Sequence, residues 1–171
     1  DSFVELEPDY NVAPTKEVYA VVDRPPSEDK QAPPERQLRT LTWGFIPSWA
    51  KDPSIGNRMI NARAETLTEL PSFKLLVDRR RCIIPADGFY EWRKEGKRKV
   101  PMWVHLRSRE PFGLAGLWDV WRNPDGKRVE SFTIITTEAE PGLDRIHDRQ
   151  ARRVPATCRR PRRTRRRARL R

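Results

Sequence analysis

A break in texture at Arg149 limits what this chain can fold into more than any other feature. From Gln150 to Arg171 there are eleven Arg, no Lys and no acidic residue. A stretch built mainly from Arg, Pro, Ala and Thr has no apolar periodicity. It cannot bury enough apolar surface to offset the entropy of ordering it. The expectation is one domain over 1–149 and a disordered, Arg-rich tail over 150–171. The tail also holds the whole charge excess. The formal charge is +11, yet outside the tail 24 basic residues face 24 acidic ones. A nucleic-acid reading of the body must therefore rest on placed side chains and not on net charge.

The body is polar, but six Trp, six Phe and three Tyr can build a core. No apolar run approaches the roughly 18 residues that a membrane-spanning helix needs. The start, Asp1 to Glu5, is acidic where a secretory signal would be basic. Cys82 and Cys158 are the only cysteines. They form no disulfide framework and no metal-spaced cluster, and His105 and His147 lie far apart. The expectation is a cytoplasmic protein without metal, cofactor or membrane partner.

Val18–Val22 reads as a buried strand and Leu38–Phe45 as a second, separated by a Pro-rich surface loop over Arg24–Glu35. Ala64–Asp78 holds helix formers, with Pro71-Ser72 splitting it into two short pieces. Cys82–Ile84, Phe89–Trp92, Pro101–Leu106, Phe112–Val120 and Ser131–Thr137 are further strands, with Arg93–Lys99 as a charged hairpin loop. Many strands and few helices, without βα alternation, predict an α+β, barrel-like domain.

Three clusters could carry chemistry: Trp43 to Trp49 followed by Asn61 to Thr66; Pro85 to Trp92; and Ile146 to Arg149. Each residue also has a plain reading. Glu91, between Tyr90 and Trp92, can be a solvent-facing strand residue, and His147 a surface-loop residue. Asn61 can cap a helix. Trp43 and Trp49 read as core, His105 as structural beside Trp103, and Cys82 as an inert buried thiol.

Taken in order, Tyr10-Asn11-Val12-Ala13-Pro14, Trp43-Gly44, Asn61 to Thr66, Arg81 to Trp92 and Ile146 to Arg149 resemble the SRAP family (SOS response-associated peptidase), over about residues 8 to 149. The resemblance implies a protein that shields abasic sites in single-stranded DNA. In that family an N-terminal Cys, exposed when the initiator Met is removed, condenses with the aldehyde of the ring-opened sugar. Its amine and thiol close a thiazolidine, and the same Cys removes the preceding residue. Carried over position by position, Asn61 orients the N-terminal residue, Glu91 moves protons, and His147 assists ring opening and the Schiff-base steps. Arg63 matches a phosphate-binding Arg, and Trp43 offers a surface for unstacked bases. The resemblance further implies a bacterial, nucleoid-associated monomer.

Two departures accompany it. Residue 1 is Asp, and the family's Met-Cys-Gly-Arg start is absent from this sequence. After Arg149 the family's Met-Pro and apolar strands give way to the Arg-rich tail, as a reading-frame shift in GC-rich DNA would produce. The expected domain is thus incomplete at both ends. The competing readings are a non-covalent single-stranded DNA-binding module and an inactive fragment. A Ser/His/Asp hydrolase is disfavoured because no GxSxG elbow occurs.

Overall fold

A computed structural model describes residues 5–155 apart from 27, 30 and 124. Its centre is a closed five-stranded barrel. β1 (Glu17–Arg24) pairs with β2 (Glu35–Trp43) on one side and β4 (Arg81–Ala86) on the other. β4 pairs with β7 (Phe112–Arg122), β7 with β8 (Arg128–Glu138), and β8 closes the circle by running parallel to β2. Closure removes the free edges of these five strands. The α+β, barrel-like expectation stands: among the described residues the helical content is two 3₁₀ turns, Pro53–Arg58 and Ala64–Thr66, and the single turn α1 (Pro71–Lys74).

A barrel of so few strands has room inside only for side chains. Alternate residues fill it: Ala20, Val22, Leu41, Cys82, Ile84, Leu114, Trp118 and Phe132 form one buried cluster. A second cluster, Phe45, Ala62, Leu67, Phe73 and Leu117, lies between the outer sheet face and the helical segment. Pro71 opens α1, where its missing N–H costs nothing, instead of interrupting a longer helix.

Two features hold the segment between β2 and β3 (Asn61–Arg63) in place. Gly44 has φ of +129°, and a Cβ there would lie 2.9 Å from the carbonyl oxygen of Gly56; a Cβ on Gly56 would lie 2.8 Å from that of Gly44. Only a pair of glycines allows this approach. β3 then adds to β8 in parallel, with Asn61 opposite Ile134 and Arg63 opposite Thr136.

The 149/150 boundary is corrected. Residues assigned to the tail form β9 (Arg149–Ala151) and β10 (Arg153–Val154). The cause is a split in the barrel wall. β7 and β8 pair from Arg122 and Arg128 as far as Gly116 and Ile134. Beyond that point β9 pairs with β8 and β10 with β7. Arg152 spans the gap: its N–H donates to Ile135 O and its carbonyl accepts from Ala115 N, both at 2.8 Å. Local composition did not forbid this, because the ordering comes from the carbonyls and N–H groups that the split leaves open. The remainder of the expected tail, 156–171, lies outside the described residues.

The Arg93–Lys99 loop is also shorter than expected. β5 (Phe89–Glu95) and β6 (Arg98–Val104) form a separate two-stranded sheet. Their turn is only Gly96-Lys97, with Gly96 at φ of +60°.

Candidate active site

The β5–β6 hairpin projects from the end of the barrel where β4 finishes. Glu91 stands opposite Met102 and is half-buried. Across the hairpin, Tyr90 faces Trp103, Trp92 faces Pro101 and Lys94 faces Lys99. These pairs share one face of the sheet. Tyr90, Trp92 and Trp103 are exposed on it. A cleft of about 260 Å³ is lined by Glu91, Trp92, Lys94, Lys99 and His147.

Glu91 and His147, far apart in sequence, thus meet at one cleft. Burial pushes the Glu91 carboxyl above its usual range, and the nearby His147 imidazole opposes that rise. A raised carboxyl can hold a proton at higher pH and hand it on. His147 sits in the turn between β8 and β9. Its Nδ1 lies 3.0 Å from Asp148 Oδ1, 3.2 Å from the carbonyl oxygen of Arg149, and receives the Arg149 N–H at 3.0 Å. Nε2 has no hydrogen-bond partner among the described residues, so it is the nitrogen left for a ligand.

Arg149 ties this turn to the second motif. Its Nη2 donates to Thr136 O at 2.8 Å and pairs with Glu65 Oε2 at 2.9 Å, while Nε donates to Thr136 Oγ1 at 3.2 Å. Glu65 is the second residue after β3, so the ion pair places the His147 turn beside Asn61–Arg63. The Glu65 carboxyl is held below its usual range, first by its own backbone N–H and then by Arg149.

Asn61 and Arg63 do not line the cleft. They lie on β3 with exposed side chains, flanking the buried Ala62. The capping role for Asn61 is excluded, because Asp52 caps the preceding 3₁₀ turn and Arg63 occupies the cap position of the next. Trp43 is half-buried against the barrel core, and its Nε1 donates to Ile60 O at 2.9 Å. That bond positions the residue just before Asn61. Trp49, expected in the core, is 63% exposed. Its loop is held by Asp119, which accepts from Ser48 N, and by Trp121, whose Nε1 donates to Ala50 O.

Cys82 faces the barrel core, and burial pushes its thiol far up, which leaves it inert. The His105 ring lies 4.4 Å from that of Trp103 between centroids, tilted by 41°. Lys94 and Lys99 were not singled out from sequence, whereas Trp92 closed the second motif. The signal for the lysines was the Gly96 turn, which sets the register that puts Lys94 opposite Lys99. Among the described residues no three His, Cys, Asp or Glu side chains gather as metal ligands. No described helix is long and apolar enough to cross a membrane.

Comparison with known proteins gives the family. The family model described as SOS response associated peptidase (SRAP) matches residues 2–160. The chain belongs to the SRAP family. It is 44% identical over 146 residues to the abasic site processing protein YoqW of Bacillus subtilis, covering 85% of this chain and 62% of that protein. It is 31% identical over 172 residues to the abasic site processing protein HMCES of Rattus norvegicus, covering 83% and 49%. A solved protein from Bordetella bronchiseptica superposes with a TM-score of 0.71 at 28% identity, over 88% of this chain and 74% of that one. The SRAP chain described here spans less than two thirds of the length of these curated relatives.

Proposed function

We propose that this SRAP domain processes abasic sites in single-stranded DNA, with Glu91 and His147 as its proton-handling pair. The observation that carries the reading is their convergence on one cleft beside exposed Trp92, Lys94 and Lys99. The two lysines attract the phosphodiester backbone, and Trp92 offers a face on which a base can stack. A cleft of this size admits one sugar unit and its flanking phosphate, not a duplex.

The chemistry follows from the family likeness. The neutral amine of an N-terminal Cys adds to the sugar aldehyde, water leaves to give an imine, and the thiol adds across that imine to close the ring. The hydroxyl that leaves as water needs a proton, and a carboxyl with a raised pKa can supply it. In the reverse direction the same group, ionised, takes a proton back. His147, with Nε2 open and Nδ1 fixed by Arg149 and Asp148, suits proton transfer to the ring oxygen of the closed sugar. Asn61 is assigned to holding the N-terminal residue and Arg63 to a backbone phosphate. Trp43 acts on Asn61 from behind through Ile60. The autopeptidase step would use the same N-terminal thiol. The working compartment is the bacterial cytoplasm, at the nucleoid.

A polypeptide beginning at Asp1 presents no N-terminal aminothiol, so the test uses a version in which Cys-Gly-Arg is restored ahead of the Tyr10-Asn11 motif behind a removable Met. Incubated with abasic single-stranded DNA, it should give a heat-stable adduct whose mass corresponds to loss of one water. The chain beginning at Asp1 should give none. An adduct from that chain mapped to Cys82 or a Lys would overturn the assignment. The exposed Tyr90, Trp92 and Trp103 face also fits a second reading, non-covalent binding of single strands; retention of DNA on the restored protein without any covalent product would favour it.

A further inference from the structure

We propose that the barrel mouth opposite the Glu91–His147 cleft is an oxyanion site that takes a phosphate group. Strand register defines this mouth. Inward positions continue from Val22 to Arg24 on β1, from Leu41 back to Arg39 on β2, and from Phe132 back to Glu130 and Arg128 on β8. Arg80 occupies the same position two residues before Cys82, and its carbonyl accepts from Trp118 N. Four Arg therefore converge on the mouth that faces away from Ile134, where β8 meets Asn61.

Trp118, fully buried, is the floor. The Arg80 guanidinium stands 4.5 Å from its ring centroid and that of Arg24 5.8 Å. One carboxylate lies at the centre. Glu130 Oε1 accepts from Arg24 Nη1 at 3.0 Å and from Arg128 Nη2, and its Oε2 accepts from Arg39 Nε at 3.0 Å. Its side chain is 9% exposed and those of the three Arg only 17–34%.

With Arg39 left out of the count, Arg24, Arg128 and Arg80 still set three positive charges against the one carboxylate of Glu130, an excess of positive charge. The excess persists even when exposed Glu35 on the same rim is counted, and that carboxylate already accepts from Gln37. Arg80 has no ion-pair partner among the described residues. Trp118 Nε1, also buried, has no hydrogen-bond partner there either. Like charges held together at partial burial are costly unless a counter-charge joins them. Arg24 and Arg128 each spend one N–H on Glu130 and keep others, in the planar geometry that fits phosphate oxygens. The ligand is therefore a phosphate group, either inorganic phosphate or the phosphodiester of a nucleic-acid strand. This inference does not depend on the abasic-site reading.

The test uses the full chain. Melting temperature and titration calorimetry are recorded with inorganic phosphate against chloride at matched ionic strength. Phosphate should raise the melting temperature saturably. Arg80→Gln and, separately, Arg128→Gln should each weaken phosphate binding about tenfold, about 1.4 kcal/mol. Glu130→Gln should tighten it, since removing the central carboxylate raises the excess charge, whereas a purely structural ion-pair cluster would give no phosphate response in any variant. The Arg-rich C-terminal stretch contributes the same background to every variant, so the differences report the mouth. Arg128 is at the rim and 34% exposed, which keeps one variant folded if Arg80→Gln is not. No phosphate effect beyond chloride in the wild type, or unchanged affinity in a cooperatively melting Arg128→Gln, would overturn the proposal. A parallel titration with undamaged single-stranded DNA separates the sources. If the log–log salt slope falls by about 0.7 per lost contact in the Arg variants, the ligand is a strand phosphate; if DNA binding is unchanged while phosphate binding falls, it is free phosphate.

Discussion

Replacing Arg149 by Met tests whether the motifs around Asn61 and His147 are one unit. Met keeps much of the aliphatic volume and removes every guanidinium contact. Two of these contacts go to Thr136, on its carbonyl and hydroxyl, in partly buried surroundings. At about 1 kcal/mol per hydrogen bond the loss is about 2 kcal/mol. The third contact, to Glu65, lies on an exposed carboxylate, where solvent screening leaves little. For a chain of this size, 1 kcal/mol shifts the melting temperature by about 2–4 °C, so Arg149→Met should melt about 4–8 °C lower. Glu65→Gln should leave the melting temperature unchanged within error. Circular dichroism melts of the two single variants and the double measure this directly. In the protein carrying a restored N-terminal Cys, Arg149→Met should also slow adduct formation and alter its pH profile, because the turn that holds His147 is released. An Arg149→Met protein melting within about 1 °C of wild type, with an unchanged pH profile, would refute the reasoning.

Glu91→Gln in the restored protein should slow condensation or reversal about 10²–10⁴-fold, measured by single-turnover gels. Its stability effect has a definite sign. A carboxyl raised in the folded state costs stability once ionised, so wild type and Glu91→Gln should melt alike below the ordinary value of 4.5. The variant should gain relative stability as pH rises from there through the raised folded value, and hold that gain above it. His147→Ala should slow adduct formation, while His105→Ala should lower only the melting temperature. Lys94→Ala with Lys99→Ala should reduce the log–log salt slope of single-strand binding by about 0.7 per lysine. Ending the chain after Pro155 removes nine Arg and should abolish most non-specific DNA binding without lowering the melting temperature. Ending it after Arg149 should also destabilise the domain, because β9 and β10 no longer fill the split between β7 and β8.

Much of the strand inventory was legible because alternation reports which face of a strand is buried. Val18–Val22, Phe112–Val120 and Ser131–Thr137 fall inside β1, β7 and β8. The site was legible as short motifs in order, which named Asn61, Glu91 and His147 but could not say which of them meet. Only the tertiary structure brought Glu91 and His147 to one cleft and left Asn61 and Arg63 on the neighbouring β3. That juxtaposition depends on hairpin register and on the Arg149–Glu65 link, both long-range. The sequence was misleading at Trp49 and at Gln150–Val154 for one physical reason. Burial of a tryptophan, and order in an Arg-rich strand, depend on what the rest of the fold leaves uncovered. The loop after Phe45 turns Trp49 outward, and the split between β7 and β8 leaves backbone groups that residues 149–154 satisfy.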